Sequence, residues 1–297
     1  MTASRPGFNI ARSRFDAPPL EAALYLVATP IGNLGDITLR ALETIAAADI
    51  LACEDTRVTR KLLDRYGIAR RTLAYHEHNA ETQGPKLIAA LREGKSVALV
   101  SDAGTPLVSD PGFKLVRAAV AADLPVHVVP GASSVLAALS LSGLPSDAFF
   151  FGGFLPVKSG ARQARLNALK AVPGTLILFE TAPRLIASLA DMASVLGDRP
   201  AAVTRELTKK FEEARRGTLT ELAEHYASVG PPKGEIVVVI GPPEQAEAAW
   251  DEARVDSALS DRVPAAGVKQ ASAEIAALSG WAKRDVYARA LALKDRA

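Results

Sequence analysis

The chain has 297 residues, of which 48% are hydrophobic and 23% are charged, and its formal net charge is +2. A chain of this length is predicted to form two globular domains, each with a sizeable core. No apolar run approaches the roughly 18 residues of a membrane helix, which excludes a membrane-spanning protein. The single cysteine, Cys53, excludes an internal disulfide and a cysteine-based metal cluster, and it is typical of the reducing cytoplasm, where we expect the protein.

The chain opens with a segment, residues 1–20, that we predict to be a disordered tail. It carries Arg5, Arg12 and Arg14 but no apolar stretch, so it does not have the pattern of a secretory signal.

Three β-branched strands then each run into a turn rich in Gly, Pro or Asp. The strands are Leu24–Thr29, Val97–Ser101 and Val126–Val129, and a fourth strand is predicted at Ile50–Cys53. The stretches between them have helical spacing, which predicts parallel strands joined by right-handed crossovers. The turns then share the carboxyl edge of one sheet, where open α/β folds bind ligands. The intervening helices are predicted at Asp36–Ala48, Arg57–Tyr66, Pro85–Arg92, Pro111–Ala122 and Ser133–Leu141.

The turn-rich stretch Ser140–Asp147 predicts a boundary between a first α/β domain, residues 21–143, and a second, residues 144–241. The second domain is predicted to be mixed α/β, and its strand order does not follow from the sequence. Its strands are expected at Ala148–Phe151, Thr175–Glu180, Ala201–Arg205 and Glu235–Ile240, and its helices at Ser159–Ala171, Pro183–Leu196 and Leu219–Ser228.

The last part of the chain, residues 242–297, is predicted to be a polar linker followed by a helical hairpin over Val263–Lys294. Basic residues outnumber acidic ones in this hairpin. It is expected either to contact nucleic acid or to pack on the body of the protein or on a second subunit.

Two segments concentrate positive charge. The residues from Thr56 to Arg71 include six basic side chains and one acid, and those from Val157 to Lys170 include four basic side chains and no acid. Such segments indicate either a phosphate-facing surface or a solvated helix face.

Common cofactor and metal motifs are weak or missing in this sequence. No G-x-x-x-x-G-K-[ST] motif occurs, and the first turn has Gly32-Asn-Leu-Gly35 where a Rossmann turn would have G-x-G-x-x-G. His76-Glu77-His78 has no third metal ligand and is interpreted as a surface loop, so no metal site is expected.

Ten motifs in order closely resemble one family, the bacterial small-subunit ribosomal RNA 2′-O-methyltransferase I family of the tetrapyrrole methylase superfamily. The resemblance covers about Leu24–Ile240, and the C-terminal hairpin looks like the helical extension of the same family. The motifs are LYLVATPIGNLGDITLRAL, CEDTR, HEHN, VSDAGTPLVSDPG, PGASS, GLPSD, GFLPVKSG, FETAPR, RELTKKFEE and KGE. The first loop departs from the G-x-G-x-G-D pattern of members that act on tetrapyrroles, which favours the RNA branch.

The resemblance implies a two-domain tetrapyrrole-methylase-like fold with S-adenosylmethionine held in the cleft between the domains. It also implies a homodimer, and methyl transfer to a cytidine ribose in the decoding region of the small-subunit RNA, free or in the assembled 30S subunit. The cofactor-binding positions it implies are Pro30, Gly32, Ser101, Asp102, Gly104, Thr105, Ser133, Ser134, Leu155 and Pro156.

The methyl group of this cofactor is already activated, so alignment outweighs proton removal. The candidates for the proton-accepting or hydroxyl-polarising group are Glu54, His76, Asp102, Lys233 and Glu235. The alternative interpretation of the cluster from Glu54 to Arg57 is a helix N-cap with an ion pair. The residues expected to contact RNA phosphates are Arg57, Arg60, Lys61, Lys158, Arg162, Arg184 and Lys209. The alternative functions are methylation of a tetrapyrrole or corrinoid precursor and a non-catalytic RNA-binding or assembly role.

Overall fold

The computed structural model describes residues 6–107, 112–243 and 250–294. The chain forms two compact units, residues 1–243 and residues 244–297. None of the helices in the described ranges is both long and apolar enough to cross a membrane.

The first sheet is the parallel, doubly wound sheet that the sequence predicts. Its strands are β3 (Leu24–Val27), β4 (Ile50–Cys53), β5 (Thr72–Ala74), β6 (Val97–Val100) and β7 (Val126–Val129), in the spatial order β5-β4-β6-β3-β7. All four pairings are parallel. The short edge strand β5 was not predicted, because three residues are too few to show an alternating pattern.

The helices of this half are α1 (Leu39–Ala47), α2 (Thr56–Arg65), α3 (Ala80–Arg92), α4 (Phe113–Ala121) and α5 (Ser134–Ser142). Two starts differ from the predictions by three residues or more. A 3-10 turn over Leu34–Asp36 precedes α1, and α3 begins five residues before Pro85, which lies inside the helix. Pro111, the predicted start of α4, lies outside the described residues.

The predicted disordered tail is wrong for the segment from Gly7 to Asp16. Two antiparallel strands, β1 (Gly7–Ile10) and β2 (Ser13–Asp16), form a hairpin there. Phe8 is 2% exposed and joins the core with Leu42, Ile45 and Leu63, so one buried aromatic ring anchors a segment that has little other apolar content.

The second sheet is mixed, in the order β11-β10-β12-β9-β8. Its strands are β8 (Phe149–Phe154), β9 (Thr175–Thr181), β10 (Pro200–Arg205), β11 (Glu213–Thr218) and β12 (Glu235–Ile240). Only β8 and β9 pair in parallel. The unpredicted edge strand β11 reads EARRGT, in which charge hides the strand pattern. Helices α6 (Ser159–Leu169), α7 (Leu185–Leu196) and α8 (Leu219–Val229) complete this half.

Helix α5 connects the two sheets. Although the sequence analysis assigned it to the first domain, its Ala138 and Leu139 pack in one cluster with Ile177 of β9 and Val239 of β12. The predicted α/β architecture with a parallel first sheet and a mixed second sheet is confirmed.

The second unit is helical. Helix α9 (Glu252–Ser279) is interrupted at Gly267 and ends at its C-cap Gly280, and α10 (Lys283–Lys294) follows. The helix therefore begins well before Val263, within the segment predicted to be a linker. Trp281, between α9 and α10, donates its indole N–H to the carbonyl of Trp250 at 2.7 Å and so connects the turn to the segment before α9.

Candidate active site

The three predicted loops meet because β3 lies between β6 and β7. Thr29 and Gly104 exchange two backbone hydrogen bonds of 2.9 and 3.0 Å across the first and central loops. The Thr29 hydroxyl donates to the carbonyl of Ser101, and the Ser101 hydroxyl donates to that of Gly104. Thr105 Oγ1 donates to the carbonyl of Ala132 in the third loop at 3.3 Å. The carboxyl edge of the first sheet is therefore one interlocked surface.

Gly104 has a backbone conformation that favours glycine. Its φ is +79°, and a Cβ added there would lie 3.2 Å from Ile31 Cγ2. Both the backbone strain and the close contact oppose a side chain at this position.

A cleft of about 320 Å³ separates this edge from the second sheet. Four carboxylates, two phenylalanine rings and several aliphatic side chains line it. The lining residues are Ile31, Glu54, Asp102, Ala103, Ser134, Phe154, Phe179, Glu180, Thr181, Leu207, Gly234, Glu235, Ile236 and Val237.

Glu54 and Asp102 form the acidic end of the cleft. Glu54 follows β4 and Asp102 follows β6, and these strands are neighbours in the sheet. Burial raises the pKa of Glu54, and the charge of Asp102 raises it further. Burial also raises the pKa of Asp102, although its carboxylate accepts a hydrogen bond of 2.9 Å from the backbone N–H of Asp55. Carboxylates with raised pKa values are suited to accept a proton or to face a cation.

The other proposed proton acceptors are placed differently. Glu235 lines the cleft but pairs with Lys209 at 3.1 Å. His76 lies close enough to Glu54 to lower the pKa of that carboxyl, against the larger effect of burial. The buried Nδ1 of His76 has no hydrogen-bond partner among the described atoms. Lys233 is exposed and is not among the described residues that line the cleft.

Of the remaining implied cofactor positions, only Ser134 is among the described residues that line the cleft. Ser133 Oγ caps α5 by accepting from the N–H of Leu136 at 3.5 Å. Pro30 is buried in the first loop. Gly32 packs on the second half of the chain, because a Cβ there would lie 2.5 Å from Lys209 Cγ.

Leu155 and Pro156 are held by an arginine that the sequence analysis placed elsewhere. Arg184 Nη2 donates to the carbonyl of Leu155 at 2.5 Å and reaches that of Pro156 at 3.4 Å. Its Nε lies 3.2 Å from a carboxylate oxygen of Glu180, which is 3% exposed and also accepts from the Ser188 hydroxyl. Glu180 was missed as a site residue, although it ends a predicted strand within the FETAPR motif.

Three of the cations expected to contact RNA have internal partners. Arg162 is 4% exposed and pairs with Asp191 at 2.5 Å, so the prediction for Arg162 is wrong because its guanidinium is buried. Arg184 holds the Leu155–Pro156 segment as described, and Lys209 binds Glu206 at 2.8 Å as well as Glu235. Both side chains are partly exposed, at 22% and 27%, so their contact with RNA phosphates stays a prediction.

The other four cations are exposed. Arg60, Lys61 and Lys158 lie on the surface, and the Arg57 side chain is 88% exposed while pairing with Asp55 at 2.6 Å. Asp55 also caps α2 by accepting from the backbone N–H of Arg57 at 2.8 Å, so the N-cap interpretation of this cluster is confirmed. In the described ranges no cluster of three or more His, Cys, Asp or Glu side chains is placed to hold a metal ion.

Two family comparisons match the two units. Residues 23–223 match the tetrapyrrole (corrin/porphyrin) methylases, and residues 248–294 match the C-terminal HTH domain described for RsmI. Among solved structures, the chain resembles that of a diphthine synthase with a TM-score of 0.58 at 19% identity, over 74% of this chain and 90% of the other, a likeness in fold.

Curated relatives match almost end to end. The chain is 61% identical to the ribosomal RNA small subunit methyltransferase I of Mesorhizobium japonicum, over 96% of this chain and 97% of the relative. It is 51% identical to the protein of the same name from Erythrobacter litoralis, over 94% of this chain and 98% of the relative. The chain therefore belongs to the ribosomal RNA small subunit methyltransferase I family, within the tetrapyrrole methylases.

Proposed function

We propose that this protein transfers a methyl group from S-adenosylmethionine to the 2′-oxygen of a cytidine ribose in the decoding region of small-subunit ribosomal RNA. The observation that carries the proposal is the 61% identity, over 96% of this chain, to a relative named as a methyltransferase of the small-subunit ribosomal RNA. A cleft lined by Glu54 and Asp102 supports it. The cytidine and the ribose oxygen follow from the family resemblance described above.

The residues of the cleft fit the cofactor. The carboxylates of Glu54 and Asp102 favour a positively charged sulfur, and the N-terminus of α5 at Ser134 suits the cofactor's carboxylate. Aliphatic side chains and two phenylalanine rings provide an apolar wall for an adenine ring. The cleft volume of about 320 Å³ lies in the range of small-molecule sites.

When bound, S-adenosylmethionine supplies a methyl group that is already activated by its positive sulfur. The protein's main task is then alignment, which is worth roughly 7–11 kcal/mol. The interlocked loops around Gly104 serve that task at the first sheet, and the hydrogen bond from Arg184 holds the Leu155–Pro156 segment, which follows Phe154 of the cleft lining. Glu54, with its pKa raised by burial and by Asp102, is our candidate to accept the hydroxyl proton, which contributes about 10²–10⁴-fold.

The RNA is expected to contact the cations of α2. Arg57, Arg60 and Lys61 are exposed and follow directly on Glu54 in the chain. Phosphate contacts from such cations supply sequence-independent affinity. The second unit is expected to add contacts, since its Lys269 and Lys283 line a shallow surface groove beside Gly267.

We also infer a homodimer. The edge strands β7 and β8 and helix α5 expose large apolar side chains, among them Val128, Leu136 and Phe149 at 57, 53 and 45% exposure. Exposed apolar patches mark association surfaces. Leu136→Asp is expected to yield a monomer in light scattering, and a wild-type monomer at micromolar concentration would contradict the inference.

The function is tested with labelled S-adenosylmethionine and small ribosomal subunits from a strain that lacks this protein. Label on a cytidine 2′-oxygen supports the proposal, and subunits are expected to be better substrates than short oligonucleotides. Label on a base atom, or on a tetrapyrrole and not on RNA, would promote the tetrapyrrole alternative. Cofactor and RNA binding without transfer would favour the non-catalytic alternative.

The cofactor site is tested with Gly104→Leu, which is expected to abolish binding in calorimetry. Gly94 is the matched control, because its φ of +82° is equally strained for leucine while no atom lies within 4 Å of an added Cβ. Gly94→Leu therefore shares the backbone strain without the cleft contact. Equal affinities in the two variants would refute the placement of the cofactor.

A further inference from the structure

The connection between β10 and β11, residues Glu206–Glu212, forms a turn at the rim of the cleft. Leu207 at its start lines the cleft, and Lys209 pairs with Glu235, which also lines it. The turn also touches the first loop, since Gly32 packs against the Lys209 side chain. The turn therefore borders one side of the cleft.

The turn is held in one conformation. Glu206 and Thr208 have φ values of +48° and +64°, which non-glycine residues seldom adopt. The Thr208 N–H donates to Glu212 Oε2 at 2.6 Å, and the Glu212 N–H donates to the carbonyl of Lys209 at 3.1 Å. Lys209 Nζ forms an ion pair with Glu206 Oε1 at 2.8 Å, which joins the middle of the turn to its first residue. Such strained positions persist only where surrounding contacts hold them, and they cluster at functional sites.

This rigid turn presents an aromatic ring to solvent. Phe211 is 63% exposed, and Lys210 Nζ lies 5.6 Å from the centroid of its ring. Lys210 has no ion-pair partner within the described parts of the chain, in contrast to Lys209. The ring's neighbours in the turn are charged, so the surface is not the contiguous apolar patch that a protein partner would require.

A flat exposed ring beside an unpaired lysine matches the chemistry of a nucleotide. Every base has a π-face that stacks on an aromatic side chain, and lysine contacts the phosphate next to it. We propose that Phe211 stacks on an unpaired RNA base at the rim of the cleft while Lys210 contacts the adjoining phosphate. This inference rests on the proposed function, because it takes RNA as the substrate.

The test compares Phe211→Ala, Phe211→Leu and Phe211→Trp in methyl transfer to small subunits from the strain lacking this protein. Loss of a base stack is expected to lower kcat/KM for the RNA by about 5- to 150-fold in the alanine variant. Leucine keeps apolar bulk but not a ring face and is expected to behave like alanine, while tryptophan restores transfer. Cofactor affinity by calorimetry is expected to stay unchanged in all three variants.

Phe113→Ala is the matched control. Phe113 is 62% exposed with Arg117 5.6 Å from its ring centroid, but it lies on α4. Transfer by Phe113→Ala is expected to equal that of wild type. Wild-type kinetics in Phe211→Ala, or full activity in Phe211→Leu, would overturn the stacking site, the latter because it indicates an apolar protein contact.

A second arm separates this inference from the proposed function. Binding of a fluorescent single-stranded oligocytidylate is measured by anisotropy for wild type and for Phe211→Ala. Wild-type protein that transfers no methyl group to RNA contradicts the proposed function. The stacking site stands only if the oligonucleotide binds wild type more tightly than the alanine variant, and equal affinities overturn it.

Discussion

Helices α2 and α6 have similar clusters of positive charge in the sequence, but their arginines differ in exposure in the structure. Both carry clustered positive charge, and for both the sequence indicates either a phosphate-facing surface or a solvated helix face. On α2, Arg57, Arg60 and Lys61 are exposed. On α6, Arg162 is 4% exposed and its guanidinium donates to Asp191 of α7 and to the carbonyl of Val157.

The difference lies in an acid that is distant in sequence. Asp191 accepts hydrogen bonds from Ser159, Gln163 and Arg162. Burial raises the pKa of Asp191, but these three hydrogen bonds outweigh it and hold the pKa below its ordinary value. A local count of charges finds no acid near α6, because the partner is supplied by packing of α7.

The largest expected effect comes from breaking this buried pair. Arg162→Ala leaves the Asp191 carboxylate without its main partner, and losing one member of a buried ion pair costs about 3–5 kcal/mol. The free energy of unfolding, measured in urea, is expected to fall by that amount. Affinity for RNA, measured below the unfolding transition, is expected to stay as in wild type.

A double variant sharpens this result. Arg162→Met with Asp191→Leu removes both charges and is expected to recover most of the lost stability, since a buried pair replaced by apolar residues is often neutral. A single variant that keeps its stability but loses RNA affinity would return α6 to the phosphate-facing interpretation.

Next comes neutralisation of α2. Changing Arg57, Arg60 and Lys61 to Gln is expected to leave the fold intact, because all three are exposed and the backbone N–H of Arg57 still caps α2 through Asp55. Each lost phosphate contact removes about 0.7–0.9 from the slope of log affinity against log salt, so the slope is expected to fall by about 2–3. Binding to small subunits at several salt concentrations measures this.

The control for α2 uses the exposed cations of α6. Changing Lys158, Arg165 and Lys170 to Gln removes the same number of exposed positive charges, on and beside the other helix. A smaller change in salt slope than for the α2 variant is expected. Equal slopes would mean that the two helices contribute alike and that only total charge matters.

Local sequence signals identify the ligand-binding edge of the first sheet, whereas contacts between residues distant in sequence determine which cations are buried. Strands ending in Gly- and Asp-rich turns placed Asp102, Gly104 and Ser134 at one edge, because parallel strands align their carboxyl ends. The roles of Arg184 and Lys209 depend on Glu180, Glu206 and Glu235, which approach them only in the folded chain. Charge type was readable from the sequence, but burial was not.

Arg184, like Arg162, pairs with a buried acid, and that acid, Glu180, lines the cleft. Arg184→Met removes the hydrogen bonds to the carbonyls of Leu155 and Pro156. Because one charge-assisted hydrogen bond is worth about 1.5–3 kcal/mol, cofactor binding is expected to weaken by about 10- to 150-fold. Ser188→Ala is the control, because it removes another partner of Glu180 without touching that segment. Equal cofactor affinities in the two variants would mean that Arg184 supports only the general fold.

The smallest effect is expected at the exposed counterpart of the buried pair, Asp55 with Arg57. Hydrogen bonds from the Arg57 side chain and backbone lower the pKa of Asp55 to about 2. Because the folded pKa is below the unfolded value of about 3.9, the stabilisation is complete above that value and is lost as the pH falls towards 2. Asp55→Asn should therefore melt slightly below wild type at pH 6, with the gap closing near pH 2. Arg57→Gln keeps the backbone cap and removes the guanidinium, so its melting temperature should depend less on pH than that of wild type. If the melting temperature depends on pH as in wild type in both variants, the loss of stability in acid belongs to other groups, including buried Asp191.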